Sequence, residues 1–316
     1  MQFDFLDFRA TINKNALSIS KITESLYNQS DVDNINNDIV NNIITLGEEH
    51  YYKKLEDLTL ISPAVETKEY LSEAMAKFKN DGIFVIPNFL DVTNIEQLCK
   101  SIEEKSHQYY SKVHGKDYYE DNNALIQTKL IKKKNYRDLA SSTKPVINVR
   151  SGADQGMIDI FNVDKLITDP NSKEIIQSIR ENTFLNSFLE LLDPNITIKN
   201  INSYINTGIS KTRGFHADSY TKQLKIFIYL TDVTSFNNGP YTFVKSTNID
   251  SSYRRLNQAI CKGLDSKTET PLVPFASIYP VLAKKGSLII SDQAGFHRGF
   301  PQSPKGNRRV LTINCQ

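Results

Sequence analysis

The sequence predicts an α+β domain, with helices in its N-terminal half and an antiparallel sandwich or barrel after them. Stretches before Pro194 place apolar residues at helical spacing, whereas short β-rich runs separated by Gly, Pro and Asn turns follow it. Helices grouped before strands, rather than alternating with them, argue against a parallel α/β sheet. The chain has 316 residues, 39% of them hydrophobic, enough to fill one large core. We therefore expect one principal domain at 67–316 preceded by a helical extension at 1–66.

Taken in order, DVDNINNDIVNNIITLGEEHYYKKLEDL repeats its apolar positions at roughly helical spacing and accounts for the extension. The start, MQFDFLDFRA, carries aspartates where a signal peptide has a basic and then an apolar region. ETKEYLSEAMAKFKNDG reads as an amphipathic helix with Leu71, Met75 and Phe78 on one face and Gly82 just beyond its end. IFVIPNF reads as a short buried strand. Residues 91–110 read as a long helix: Asp91 or Thr93 is its N-cap, Glu96 sits in the first turn, and Ile95, Leu98 and Ile102 form a stripe. From 111 to 160 there is little periodicity, and VINVRSGADQGMIDIF reads as a charged loop punctuated by Gly152 and Gly156. SKEIIQSIRENTFLNSFLELL, 172–192, reads as one amphipathic helix stopped at Asp193-Pro194. The strands follow: ITIKNINSYI, LKIFIYLTDV, YTFVKS, GSLIISD and RRVLTIN.

Charge excludes some partners. With 38 basic and 36 acidic residues the formal charge is +2, and the basic residues are dispersed apart from Lys132-Lys133-Lys134. Neither nucleic acid nor an anionic membrane is an expected partner. No apolar run approaches membrane-spanning length. Cys99, Cys261 and Cys315 lie far apart without a CxxC pair, as expected of reduced thiols in a cytoplasmic protein.

Two segments carry chemistry, RGFHADSY and GFHRGFPQSPKGNRRVLTI. Residues two apart in an extended chain point the same way, so His216 and Asp218 can address one metal ion, with His297 supplied by the second segment. Two imidazoles and one carboxylate leave three octahedral positions open, the ligand set of non-haem iron oxygenases. A zinc hydrolase can use a similar set. Arg308 and Arg309 are alternatives for pairing with a ligand carboxylate. Strand alternation sends them to opposite faces: one register groups Arg308 with Val310 and Thr312, the other Arg309 with Leu311 and Ile313, and both faces are apolar. Asn148, Arg150, Asp154, Gln155 and Met157, with Arg213 beside the metal motif, are candidate contacts for a polar small-molecule substrate. His50, His107 and His114 have no carboxylate at ligand spacing and read as surface residues. Tyr109, Tyr110, Tyr118 and Tyr119 read as packing residues.

The segment RGFHADSYTKQLKIFIYLTDVTSFNNGPYTFVKS, together with KKGSLIISDQAGFHRGFPQSPKGNRRVLTI, resembles the phytanoyl-CoA dioxygenase family of Fe(II)/2-oxoglutarate-dependent oxygenases. The shared features are H-x-D, an apolar strand ending in L-T-D-V, an N-G-P turn, and G-S-L-I-I-S-D before the distal histidine; NDGIFVIPNFLD also resembles the family's opening strand. The resemblance spans residues 70–316 in outline and is concentrated at 200–316. It departs where family members continue the N-G-P turn into P-G-S-H and this chain has VKSTN.

The resemblance implies a double-stranded β-helix core (a jelly-roll, cupin-like) with flanking helices, and His216, Asp218 and His297 as iron ligands. The family places its 2-oxoglutarate arginine eleven residues after the distal histidine, the position of Arg308, which leaves Arg309 in reserve. The implied cofactors are Fe(II), 2-oxoglutarate and O2. The implied reaction is hydroxylation of a polar small molecule with release of succinate and CO2; desaturation or ring formation, and a non-catalytic cupin-like binding protein, are the alternatives. Related halogenases replace the carboxylate ligand by a small residue, so the intact Asp218 favours hydroxylation, desaturation or ring chemistry.

Overall fold

Alternation along the strands sorts this chain into layers, and the computed structural model describes them for residues 29–61, 67–115, 142–150, 154–260 and 268–315. Residues 1–28, Tyr118, Tyr119, Lys132 to Lys134, Gly152 and Cys261, and the side chain of His114, lie outside the described residues. A seven-stranded antiparallel sheet has the order β1 (Ile83–Ile86), β8 (Leu288–Asp292), β5 (Leu224–Tyr229), β10 (Asn307–Cys315), β4 (Ile198–Thr207), β3 (Ile158–Phe161), β2 (Val146–Val149). A three-stranded sheet has the order β7 (Ile278–Pro280), β6 (Tyr241–Val244), β9 (His297–Gly299).

On the outer face of the large sheet, Phe84, Ile226, Ile290 and Leu311 pack against four helices: α3 (Lys68–Asp81), α4 (Val92–His114), α5 (Pro170–Arg180) and α6 (Thr183–Leu192). Its inner face carries Val85, Phe227, Tyr229, Ile289 and Val310, which meet Tyr241, Phe243 and Tyr279 of the small sheet. Behind the small sheet lie α1 (Gln29–Leu46) and α2 (Glu48–Leu55), where Ile39, Val40, Ile43 and Tyr51 pack on Phe215, Val244 and Phe296. Side chains of this size each contribute about 1.5–3 kcal/mol when buried, so both helix layers are held mainly by apolar area. A further helix, α7 (Ser252–Ile260), lies between β6 and β7 in the chain.

The caps explain where the helices stop. Thr67 accepts the Tyr70 N–H at 3.2 Å to open α3, and Gly82, at φ 79°, closes it in the left-handed conformation. Asp91 is the cap of α4, accepting the Thr93 N–H at 2.8 Å. The single helix expected over 172–192 is two helices. Asn182 accepts the Leu185 N–H at 2.9 Å and restarts the chain as α6, because a short amide that competes with the helix backbone is more stable as a cap than inside a helix. Apolar periodicity continues across the break, through Ile175, Ile179, Phe184 and Phe188, and conceals it.

The charged loop expected over VINVRSGADQGMIDIF is also different. It is a hairpin of β2 and β3, with Asn148 opposite Asp159 and Val149 opposite Ile158, extending the large sheet. Ile147, Val149, Ile158 and Ile160 enter the helix-side core, while Asn148 and Asp159 take the inner face. Their polarity resembles that of a loop but belongs to the lining of the inter-sheet space. Among the described residues no helix is long and apolar enough to cross a membrane, and Cys99 and Cys315 are free thiols.

Candidate metal centre

His216 and His297 face each other as an isolated antiparallel bridge that widens the small sheet by one residue. Each donates its N–H to the other's carbonyl, at 3.0 and 2.9 Å, so both side chains leave the bridge on the same side, with ring centroids 4.5 Å apart. Asp218, two residues on, is positioned by its own N–H donating to the Gln293 carbonyl at 3.0 Å. The backbone thus brings His297 together with two side chains of a distant segment.

Both imidazoles are oriented in the same way. Nδ1 of His216 donates to the Gly214 carbonyl at 2.8 Å, and Nδ1 of His297 to the Gly295 carbonyl at 2.9 Å. A carbonyl only accepts, so each ring carries its proton on Nδ1 and leaves the Nε2 lone pair for a metal. Both Nε2 atoms lie 3.6 Å from the same carboxylate oxygen, Oδ1 of Asp218. The three ligand atoms lie within 4.8 Å of one another, a spacing that a single ion can bridge.

The other oxygen of Asp218 has a separate partner. Lys225, on the inner face at the start of β5, places Nζ 3.2 Å from Oδ2 and 3.4 Å from Oε1 of Gln293. Burial works against the Asp218 carboxylate, but the Lys225 ammonium outweighs it and holds the carboxyl well below its ordinary range. Lys225 responds in the opposite sense: burial lowers its affinity for a proton, yet Asp218 raises it further. Burial, then the neighbouring His297, pushes His216 down to about 4, so its ring is the neutral form that ligates metals.

Arg308 and Arg309 point to opposite faces, and the structure shows which is which. Arg309 lies on the helix side, where its guanidinium forks onto Glu103 of α4 at 2.7 and 2.9 Å. It also lines a surface cleft of about 370 Å³ with Glu96, Lys285 and Asp232, which contains none of the three metal-facing residues. Arg308 shares the inner face with Val310. Its Nη1 donates to the Gly239 carbonyl, its Nε is buried without a partner, and burial depresses its pKa. Among the described residues no carboxylate lies within 4 Å of it; opposite, in β4, Asn206 has a buried Oδ1 that is also without a partner.

The six candidate substrate residues divide. Asn148 and Arg150 meet on buried Asp159: Nδ2 of Asn148 donates at 3.0 Å, and Arg150 binds through Nε and Nη2 at 3.0–3.2 Å. Arg150 also reaches Asp154 at 3.1 Å, and Asp154 accepts the backbone N–H of Arg213 at 3.3 Å, joining the hairpin tip to the segment before His216. Arg213 pairs with Glu269 at 2.8 Å. Gln155 is exposed at the hairpin tip, and Met157 is buried. Because the Asp159 side chain is 0% exposed, Arg150→Ala strands a buried carboxylate and is expected to cost about 3 kcal/mol in denaturant-induced unfolding. A cost below ~1 kcal/mol, the range of exposed pairs, would show that water compensates Asp159.

Lys225 escaped sequence reasoning, although its signal exists: it shares strand parity with Phe227 and Tyr229, which identifies an inward-facing charge.

No protein-family description matches the chain, and no characterised protein is detectably similar to it in sequence. Among solved structures it is similar to the epimerase SnoN in complex with Fe3+, alpha ketoglutarate and nogalamycin RO, at TM-score 0.49 and 13% identity over 79% of this chain and 84% of that one. AviO1 from Streptomyces viridochromogenes Tue57 gives TM-score 0.48 and 12% identity over 80% and 95%. HygX from Streptomyces hygroscopicus with nickel, 2-oxoglutarate and hygromycin B bound gives 0.44 and 11% over 79% and 87%. These overlaps are too loose to carry a functional assignment, which rests on the site itself.

Proposed function

We propose that this chain is a non-haem Fe(II)/2-oxoglutarate-dependent dioxygenase that hydroxylates a C–H bond of a polar small molecule. One observation carries the reading: the His216/Asp218/His297 ligand set and Arg308, a half-buried arginine whose buried Nε has no partner and which has no carboxylate within 4 Å among the described residues, belong to the same inter-sheet space. A buried cation without a counterion is costly unless a ligand supplies the anion, and a planar guanidinium matches the far carboxylate of 2-oxoglutarate. Iron, when bound, supplies the oxidative chemistry with O2, releasing succinate and CO2.

The residues of the chain provide the rest. His216, Asp218 and His297 would hold the ion, Lys225 pairs with the second Asp218 oxygen and leaves Oδ1 for it, and Arg308 would anchor the co-substrate. The polar part of the large sheet's inner face, with Asn148 and Arg150, and the neighbouring Arg213 form the side on which we place the substrate; Gln155 and Met157 belong to the hairpin that borders it. In this reading the two sheets are a double-stranded β-helix at 67–316, the helices α1 and α2 of the 1–66 extension cover the small sheet, and the free thiols accord with a cytoplasmic location.

Anaerobic addition of Fe(II) and then 2-oxoglutarate is expected to produce the weak visible charge-transfer band of the chelate, and admission of O2 to yield succinate. No band would remove the reading. A band without succinate, whatever small molecule is added, would leave a binding protein instead of an enzyme.

A further inference from the structure

The N-terminal helix reaches the metal centre from behind. Ile39, Val40 and Ile43 bury the apolar stripe of α1 against Phe215 and Phe296, and this brings Asn36, 4% exposed, against residues adjacent to both histidines. Its Oδ1 accepts the N–H of Phe215, the residue before His216, at 2.9 Å. Its Nδ2 donates to the Val32 carbonyl at 2.9 Å inside the helix, which fixes the orientation of the amide. Its backbone carbonyl accepts from Nη1 of Arg298, the residue after His297, at 3.4 Å. Gly214 makes the approach possible, since a Cβ there would lie 2.4 Å from Nδ2 of Asn36.

Both contacted residues depend on what they find there. The Phe215 N–H is buried, and without Asn36 it loses its acceptor. Arg298 is 3% exposed and has no carboxylate within 4 Å among the described residues; its guanidinium is satisfied by the carbonyls of Asn36 and Gly299 and by Oγ1 of Thr212. His216 and His297 are also each other's bridge partners, so a shift of either flanking residue is transmitted to the ligand pair.

We propose that Asn36 is a positioning residue for the metal centre, which makes the N-terminal segment part of the ligand scaffold. The inference rests on the metal-binding reading above. Its chemistry is that of an outer-shell hydrogen bond: Asn36 touches no metal, but it sets the backbone from which the ligands project.

The test is a Co(II) titration of the metal-stripped full chain, followed by the visible absorption of the bound ion. Asn36→Ala is expected to weaken Co(II) by about tenfold or more, the scale of lost outer-shell partners. Asn36→Asp, which keeps the acceptor for Phe215, is expected to retain most of the affinity. Ile43→Ala, which loosens the same helix but leaves the Asn36–Phe215 hydrogen bond in place, is expected to lower the melting temperature and to change Co(II) affinity far less than Asn36→Ala. Wild-type affinity in Asn36→Ala, or an equal loss in Ile43→Ala, would overturn the proposal. Should Asn36→Ala not fold, amide exchange in the wild type decides: linkage is reciprocal, so Co(II) must slow exchange across residues 32–43, and no change there overturns it. A wild-type chain that binds no Co(II) removes the metal reading itself and this proposal with it.

Discussion

Asp218→Asn is expected to cost more metal affinity than any other substitution of similar size in this chain. It removes the one anionic ligand and leaves the Lys225 ammonium, 3.2 Å from Oδ2 in the wild type, beside a divalent ion with nothing to offset it. The loss should exceed the ~10–100-fold that outer-shell partners cost. The metal-free protein should lose some stability as well, because a carboxyl held well below its ordinary range by Lys225 stabilises the folded state at neutral pH. Anaerobic Fe(II) titration and thermal unfolding of the metal-free protein measure the two separately. If the variant binds Fe(II) like the wild type, Asp218 is not a ligand.

The arginine pair gives the second large effect, and it is a contrast. Arg308→Ala should raise the KM for 2-oxoglutarate by roughly 30- to 1000-fold, corresponding to the ~2–4 kcal/mol lost when one partner of a buried, hydrogen-bonded charge pair is truncated. Arg309→Ala should leave that KM unchanged and cost about 1 kcal/mol or less of folding stability, because it breaks a partly exposed pair with Glu103 on the helix side. Initial-rate measurements on both variants decide the matter, and the opposite pattern would reassign the co-substrate to the outer face.

Why the choice between them escaped the sequence is instructive. Val310 and Leu311 are both buried, one against the small sheet and one against the helices, so hydrophobic alternation in β10 has no contrast to read. The register could be resolved only by what each arginine meets: Glu103 from a helix more than two hundred residues earlier, or a space bounded by Asn206 and Gly239. His216 and Asp218 were legible because their spacing of two is itself a strand signal, and His297 because a strand and turn precede it. Asn148 and Asp159 were visible as polar residues but not as inward-facing ones, since the same composition serves a loop and a hydrated inner face. Asn182 looked like an ordinary interior position because its neighbours kept the helical period. Asn36 offered no local signal at all; its meaning lies in contact with Phe215, 179 residues away.

The reciprocal backbone hydrogen bonds between His216 and His297 also bear on how such a site can change over time. The ladder, not the length of the connecting chain, sets the separation of the two imidazoles. Segments between Asp218 and Gln293 that lie outside β5, β6, β7 and β8, and outside residues 268–270, which pair with Phe215 to Ala217, can therefore lengthen, shorten or acquire new side chains without moving a ligand. Such a scaffold separates two kinds of inheritance: the metal geometry is carried by a few paired backbone groups, while the chain that loops away from them is open to insertion and to selection for a different substrate.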